Sequence, residues 1–411
     1  MKRFLVVLVV ASMVLTTSLL GVTTIKFMNF SSADANAKYL EEMKEIFEEQ
    51  NPDIKVEIET VGFGDYFTKL MTVVAGGNAP DAFELNYENF YTYAKKDVLL
   101  DLNDLLATSG FDTSVLNERA LYAFSDNGVQ YGLPFSFSNV VLIYNKDLFD
   151  RAGAEHPRED WTWADELEAA KKIRALDAMT FGIYQPVQFW EFYKMVQQNG
   201  GSILNEDKTA FTLNSPQNIE TLQYMVDRIL ESNVMPNDAQ MAGMGDWDLF
   251  EVERIGMIVT GTWAFSTFKD SCDFNWDIAV EPGNTSKATH FFANGLAISK
   301  DSKKVDAAFR WISFLSGDID VAKIRIEAGW ELPPVTYPEI IELYKQTTPP
   351  ESKEVVFKSL DYLVTPPVIE QFNEMADIVN RHLEAARYGE KTPEQALNDA
   401  QAELERSIKL D

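Results

Sequence analysis

From about residue 25 onward, short apolar runs alternate with amphipathic stretches. Ile25-Lys-Phe-Met-Asn-Phe30 is β-branched and aromatic and stops at polar Ser31-Ser32, which predicts a strand. Leu40, Met43, Ile46 and Phe47 share one face of a helix that Asn51-Pro52 ends. Ile54-Lys-Val-Glu-Ile58 alternates as a half-buried strand, and Phe67, Leu70, Met71 and Val74 mark a second helix closed by Gly76-Gly77. Thr162-Trp-Ala-Asp165 and Thr392-Pro393-Glu394-Gln395 have the spacing at which a cap residue and the third helical residue satisfy each other's N–H groups. Ser302 precedes another helical face, Val305, Phe309, Ile312 and Leu315. Strand, helix, strand, helix predicts an α/β protein with a mostly parallel sheet covered by helices. No Pro/Gly-rich linker divides the chain. Extended segments at Tyr131–Ser138, at Thr289–Asn294 and around Ser316-Gly317 suit a chain that crosses between two domains more than once. Ile255–Gly261 reads as a buried strand, and Trp263 stands just past its end, where a plain core would not put the largest apolar side chain.

The start of the chain changes the setting. Met1-Lys-Arg, an apolar run from Phe4 to Leu15 and small residues to Gly21 make residues 1–21 a secretory signal peptide, with cleavage near Ser18 to Val22. The purely apolar run is shorter than the roughly 20 residues a membrane span needs. Cys272 is the only cysteine, so no disulfide framework and no lipid-anchor cysteine are available, and the mature protein is expected free outside the cytoplasmic membrane. The formal charge is −28, from 64 acidic and 36 basic residues; losing Lys2 and Arg3 with the leader takes it to −30. Such a balance repels a phosphate backbone and excludes nucleic acid as a partner. With 411 residues and 46% apolar content, the chain can bury its own cores.

Motifs for catalysis are missing. His156, His290 and His382 are too scattered for a paired metal motif, and no nucleophile elbow, phosphate loop or dinucleotide fingerprint occurs. Ser266-Thr-Phe-Lys269 matches Ser-x-x-Lys without its companion motifs. Counting leaves a glycosidase carboxylate pair open. No metal and no cofactor are expected. What is plentiful is aromatic and amide chemistry: 8 Trp, 15 Tyr and 27 Phe, several at the ends of strands. Flat rings stack on the C–H faces of sugars, while amides and carboxylates bond their hydroxyls. Gln185-Pro-Val-Gln-Phe-Trp190, Asp246-Trp247-Asp248, Gly261-Thr-Trp263 and Gly329-Trp-Glu331 have this mixture. For one tryptophan alone, core packing is the commoner role; four such clusters tilt the balance towards a binding cleft.

These residues carry a family resemblance. Gly76-Gly-Asn-Ala-Pro-Asp-Ala-Phe83, Leu99-Leu-Asp-Leu102, Tyr131-Gly-Leu-Pro134 running into Val140 through Phe149, Glu253 through Trp263, Asn294 through Lys300 and Gly389 through Gln401 occur in the order found in the family 1 extracellular solute-binding proteins. That family, which includes maltose-binding protein, supplies the sugar-binding components of ABC importers. The resemblance implies a two-domain, type II periplasmic-binding-protein fold of class α/β, with discontinuous domains joined by hinge crossovers around a cleft. The expected lobes are 22–136 with 292–317, and 137–291 with 318–411. Trp263 would then face a sugar in the cleft. Carried over position by position, Ser31, Ser32 and Asp34 follow the first strand, and Asn86, Tyr87 and Glu88 follow the Pro-Asp strand. Ser138 stands at the crossover where maltose-binding protein has a carboxylate, which argues against maltose. Gln188 and Trp190 match a carboxylate and an aromatic that grip the sugar. The aromatic of the penultimate helix falls at Ala376, so that platform is missing or replaced by Trp330. Tyr66 and Asn294 are further candidates, and Trp247 is chosen from its sequence context alone.

The expectation is a receptor, not an enzyme, that binds an oligosaccharide and hands it to the permease subunits of an ABC transporter, working as a monomer. The alternatives are an exported carbohydrate-active enzyme, the same fold binding a peptide, polyamine or metal complex, and a sensory partner of a signalling receptor.

Overall fold

The computed structural model describes residues 21–32 and 36–410; the signal-peptide reading and Asp34 lie outside the described residues. β1 (Thr23–Asn29) pairs in parallel with β2 (Ile54–Thr60) and with β3 (Ala82–Asn86), and helices Ala37–Gln50 and Phe63–Ala75 form the connections. The first helix buries Leu40, Met43 and Phe47, as its spacing predicts. The second buries Leu70 as predicted and Tyr66 in addition, while Phe67, Met71 and Val74 are half-buried, so its inward face is turned slightly from the predicted one. A hairpin of β4 (Ser125–Asp126) and β5 (Val129–Gln130) leads into β6 (Gly132–Asn145), whose 14 residues are all buried.

β6 organises the molecule. Its first half pairs antiparallel with β10 (Thr289–Ile298), with Phe137 opposite Ala293 and Ser138 opposite Phe292. At Val140 it changes partner and runs antiparallel to β8 (Ile255–Gly261), with β9 (Trp276–Ala279) also pairing along it. β7 (Phe181–Tyr184) joins β8 in parallel, and the far end of β10 pairs antiparallel with β3. The resulting order β2-β1-β3-β10-β6-β8-β7 is one continuous path. It belongs to two lobes, because β6 and β10 each serve both. β10 shifts register at Asn294/Gly295, and β11 (Leu363–Val364) lies parallel to its start. The crossovers expected at Tyr131–Ser138 and Thr289–Asn294 are therefore strands. A strand covered on both faces reads as an unbroken apolar run, which is why these two were visible.

The crossing expected near Ser316-Gly317 is corrected. Those residues end helix Val305–Gly317, and helix Ile319–Glu327 packs on it and on helix Ala37–Gln50, its Val321 and Ile324 sharing a core with Ile25 and Phe27. The chain has not left the first lobe at 318. After β11, helix Phe372–Arg387 packs on helices Phe189–Gln198, Pro216–Leu230 and Pro393–Ser407. In that last helix Gln395 N–H donates to Thr392 Oγ1 at 3.2 Å and Thr392 N–H to Gln395 Oε1 at 3.1 Å, the predicted cap.

Candidate binding site at the lobe seam

β8 is buried along its length and breaks into a short turn, Thr262–Ala264, at the seam. The turn folds the Trp263 ring back over Gly261. A Cβ placed on Gly261 would lie 1.9 Å from Trp263 Cζ3, so only glycine leaves room for the ring there. Trp263 meets Phe292 of β10 edge-to-face, centroids 5.0 Å apart and planes at 85°. Phe292 stacks on His290, two residues back on the same face of the strand. Trp190, in the first turn of helix Phe189–Gln198, lies 5.4 Å from His290, 6.1 Å from Phe292 and 5.6 Å from Phe372. Trp190, Trp263 and Phe292 are only half-buried, and together they form an aromatic wall built from three distant chain segments. Beneath it, the Tyr193 hydroxyl bonds His290 Nδ1, and His290 Nε2 lies 3.2 Å from Glu88 Oε1. Burial pushes the Glu88 carboxyl up to about 8, and burial, with the nearby Lys194 cation, holds His290 well below its ordinary range. Both groups are thus neutral at pH 7.

The other lobe presents Phe30, Ser31 and Ser32 at the end of β1. The N–H groups of Phe30 and Ser31 donate to Glu84 Oε2 at 3.0 and 3.1 Å, and Ser32 N–H donates to Asn29 Oδ1 at 3.2 Å. Burial raises Glu84 to about 7. Among the described residues, the Ser32 hydroxyl and Glu84 Oε1 are buried without a hydrogen-bond partner, the state in which a polar group gains most from an arriving hydroxyl. Phe63 stands 57% exposed, edge-on to Phe30 at 5.4 Å. It was missed from sequence, although an aromatic between Gly62 and Gly64 just past a strand was the available signal.

The remaining candidates separate. Asn86 caps helix Tyr87–Lys95, its Oδ1 accepting from Asn89 N–H at 3.3 Å. Tyr87 is half-buried and edge-on to Phe291, Glu88 is turned wholly inward to His290, and Ser138 is buried in the β6–β10 pairing. Asn294 donates to Ser136 Oγ at 3.2 Å, and Gln188 is exposed at the start of the Trp190 helix. Trp247 is half-buried against Phe268 at 5.6 Å and makes no ring contact with the wall. Glu88, Tyr66 and Trp330 present no face to a ligand. Tyr66 is fully buried, its hydroxyl directed at the carbonyls of Met28 and Glu84 at 3.0 and 2.8 Å, which makes it a strut between β1 and β3. Trp330 is 5% exposed, packed on Phe135 and covered by the Arg325 guanidinium 4.3 Å from its ring, so it offers no face to a ligand. The penultimate helix does send an aromatic towards the wall: Phe372, one turn before Ala376, backs Trp190. Among the described residues no cluster of His, Cys, Asp and Glu could hold a metal, and no helix is long and apolar enough to cross a membrane.

Two lobes sharing crossover strands, with an aromatic wall at their seam, define a two-lobed binding protein. The chain belongs to the bacterial extracellular solute-binding proteins, whose family model matches residues 30–321. It is 49% identical to the ABC substrate-binding protein of Listeria monocytogenes solved in complex with cycloalternan, with a TM-score of 0.90 over 94% of this chain and 99% of that one. It is 27% identical to the arabinooligosaccharide-binding protein of Bacillus subtilis (strain 168), covering 93% of this chain and 92% of that protein. The GacH receptor of Streptomyces glaucescens, solved unliganded and with acarbose, shares the fold at a TM-score of 0.83 and 21% identity over 94% and 98% of the two chains.

Proposed function

We propose that this chain is the sugar receptor of an ABC importer and that its ligand is cycloalternan or an oligosaccharide of closely similar shape. The half-buried wall of Trp190, Trp263 and Phe292 at the seam carries this reading, and the likeness to the cycloalternan-bound Listeria protein over nearly the whole chain supports it. The wall stacks on sugar C–H faces, while Ser31 and Ser32 accept and donate to hydroxyls from the other lobe, with Phe63 as a second platform. Asn86, Tyr87, Ser138, Gln188 and Asn294 line or brace the approach.

The first lobe comprises 22–136 and 292 to about 362, and the second the rest of the mature chain. Sugar touching both lobes favours their closure over the open form, because only the closed form makes both sets of contacts. Micromolar binding corresponds to about −8 kcal/mol, within reach of stacked rings and a hydrogen-bond network. The receptor works as a monomer outside the cytoplasmic membrane after losing residues 1–21, and passes the sugar unaltered to the permease.

Calorimetric titration with cycloalternan, linear maltodextrins and arabinooligosaccharides tests the assignment, followed by chromatography of the recovered sugar. Tight binding of cycloalternan with intact recovery is expected. Preference for arabinooligosaccharides would reassign the ligand, and altered sugar would make the protein an enzyme.

A further inference from the structure

Tyr193, His290 and Glu88 come from three different parts of the fold and meet in a place that sees almost no solvent. Tyr193 lies on helix Phe189–Gln198 of the second lobe, His290 on the crossing strand β10, and Glu88 on helix Tyr87–Lys95 of the first lobe; their exposures are 1%, 1% and 0%. We propose that this hydrogen-bonded chain is a positioning device that ties the two lobes together in the free receptor and holds the aromatic wall in register for the sugar.

The chemistry of the three groups permits two proton orders with the same contacts. Either the Tyr193 O–H donates to His290 Nδ1 and Nε2–H donates to Glu88 Oε1, or the neutral Glu88 carboxyl donates to Nε2 and Nδ1–H donates to the Tyr193 oxygen. His290 is the shared member. Its ring stacks on Phe292 and leans on Trp190, so fixing the imidazole fixes two of the three rings of the wall. Separating the lobes along this line leaves buried donors and acceptors without partners until water replaces them, which biases the pair of lobes towards the joined arrangement. Two further bonds run alongside. Asn373 Nδ2 donates to Asn89 Oδ1 at 3.0 Å, and Thr92 Oγ1 donates to the Glu370 carbonyl at 3.1 Å, so the same helix of the first lobe is held at three points. None of the three side chains presents a face to ligand, and their effect on binding is indirect.

The inference depends on the proposed sugar reading only for its affinity arm. The experiment compares wild type, Tyr193→Phe, Glu88→Leu and Glu88→Gln, measuring the small-angle scattering radius of the sugar-free protein and the Kd for cycloalternan. Tyr193→Phe removes only the hydroxyl, and Glu88→Leu removes the carboxyl at similar volume. Both are expected to enlarge the free protein and weaken binding about three- to tenfold, the equivalent of one lost hydrogen bond. Glu88→Gln keeps an amide that can accept from or donate to Nε2 and is expected to restore both readouts. Variants that lose thermal stability with unchanged radius and Kd would overturn the proposal, as would failure of Glu88→Gln to behave differently from Glu88→Leu. If wild type does not bind cycloalternan, the ligand assignment fails, while the scattering radii still decide whether the chain ties the lobes.

Discussion

Trp263 and Trp330 each lie just past a glycine at the end of an element, yet they end in opposite situations. Around Trp330 the protein supplies everything the ring can use. Arg325, with no solvent exposure, lies 4.2 Å from the Phe135 ring and 4.3 Å from Trp330, and its Nη2 donates to Glu331 at 3.0 Å. The guanidinium occupies the electron-rich faces, and the site is closed. Around Trp263 the neighbours are another ring's edge and a glycine, so part of the indole is left without a partner. An aromatic face already covered by a cation of the same chain is structural. One left half-open at a seam is prepared for something that arrives.

The largest effect should come from the closed site. Trp330→Ala would cost about 3–5 kcal/mol of stability, because it empties a core position and leaves Arg325 buried beside a void. Denaturant titration measures this, and the folded fraction should bind sugar with unchanged Kd. Weakened binding without a loss of stability would put Trp330 back at the cleft and erase the contrast. Trp263→Ala should show the converse, losing about 2–4 kcal/mol of sugar affinity in calorimetry with a much smaller change in stability. Gly261→Ala sharpens the point without touching the indole. Its methyl group needs the space that Trp263 Cζ3 occupies, so the ring must move, and a loss of about 1–3 kcal/mol in affinity is expected, the usual cost of an overpacked site.

The seam also predicts how stability follows pH. Burial raises Glu84 to about 7 and Glu88 to about 8, against an ordinary 4.5. In the fold these carboxyls keep protons that the unfolded chain has released, so their stabilising effect is full below about pH 4.5 and is lost as pH rises through 7 to 8. His290 works the other way. Held neutral by burial, it refuses a proton that the unfolded chain takes up, so stability falls as pH drops below the ordinary 6.5. Thermal melts should therefore peak between about pH 5 and 6.5 and decline steadily to pH 8.5. Glu88→Gln should flatten the alkaline side. A maximum at pH 8 would mean that the carboxyls are ionised and solvated, and the seam open.

Much of this was legible beforehand. β6 and β10 are apolar without a break, and β8 ends where its branched residues end, so the crossovers and the place of Trp263 followed from local pattern. The tie between the lobes did not. His290 is 97 residues from Tyr193 and 202 from Glu88, and no periodicity relates positions so far apart. The third crossing was misplaced because a glycine after an apolar helix looks the same whether the next helix stays in its lobe or leaves it. Tyr66 is a candidate through the family resemblance and Trp330 as a stand-in for the aromatic missing at Ala376, and an aromatic with polar neighbours suits a cleft as well as a core. What covers it is decided by tertiary packing alone.

Trp247 sets the smallest expected effect and the finest test of the contrast. It shares with Trp263 a flanking of polar residues, Asp246 and Asp248, but its ring rests on Phe268 of the second lobe and meets none of Trp190, Trp263 or Phe292. If half-burial alone made a binding aromatic, Trp247→Ala would cost as much affinity as Trp263→Ala. If convergence at the seam is what matters, the ring is at most a rim contact, worth under about 1 kcal/mol, or less than a tenfold change in Kd. The same variant should lower the melting temperature by a few degrees, since the ring shields Phe268. Parallel titrations of the two alanine variants against one sugar would therefore rank geometry against exposure directly, and equal losses would show that the site extends along the second lobe to the helix Asp246–Glu251.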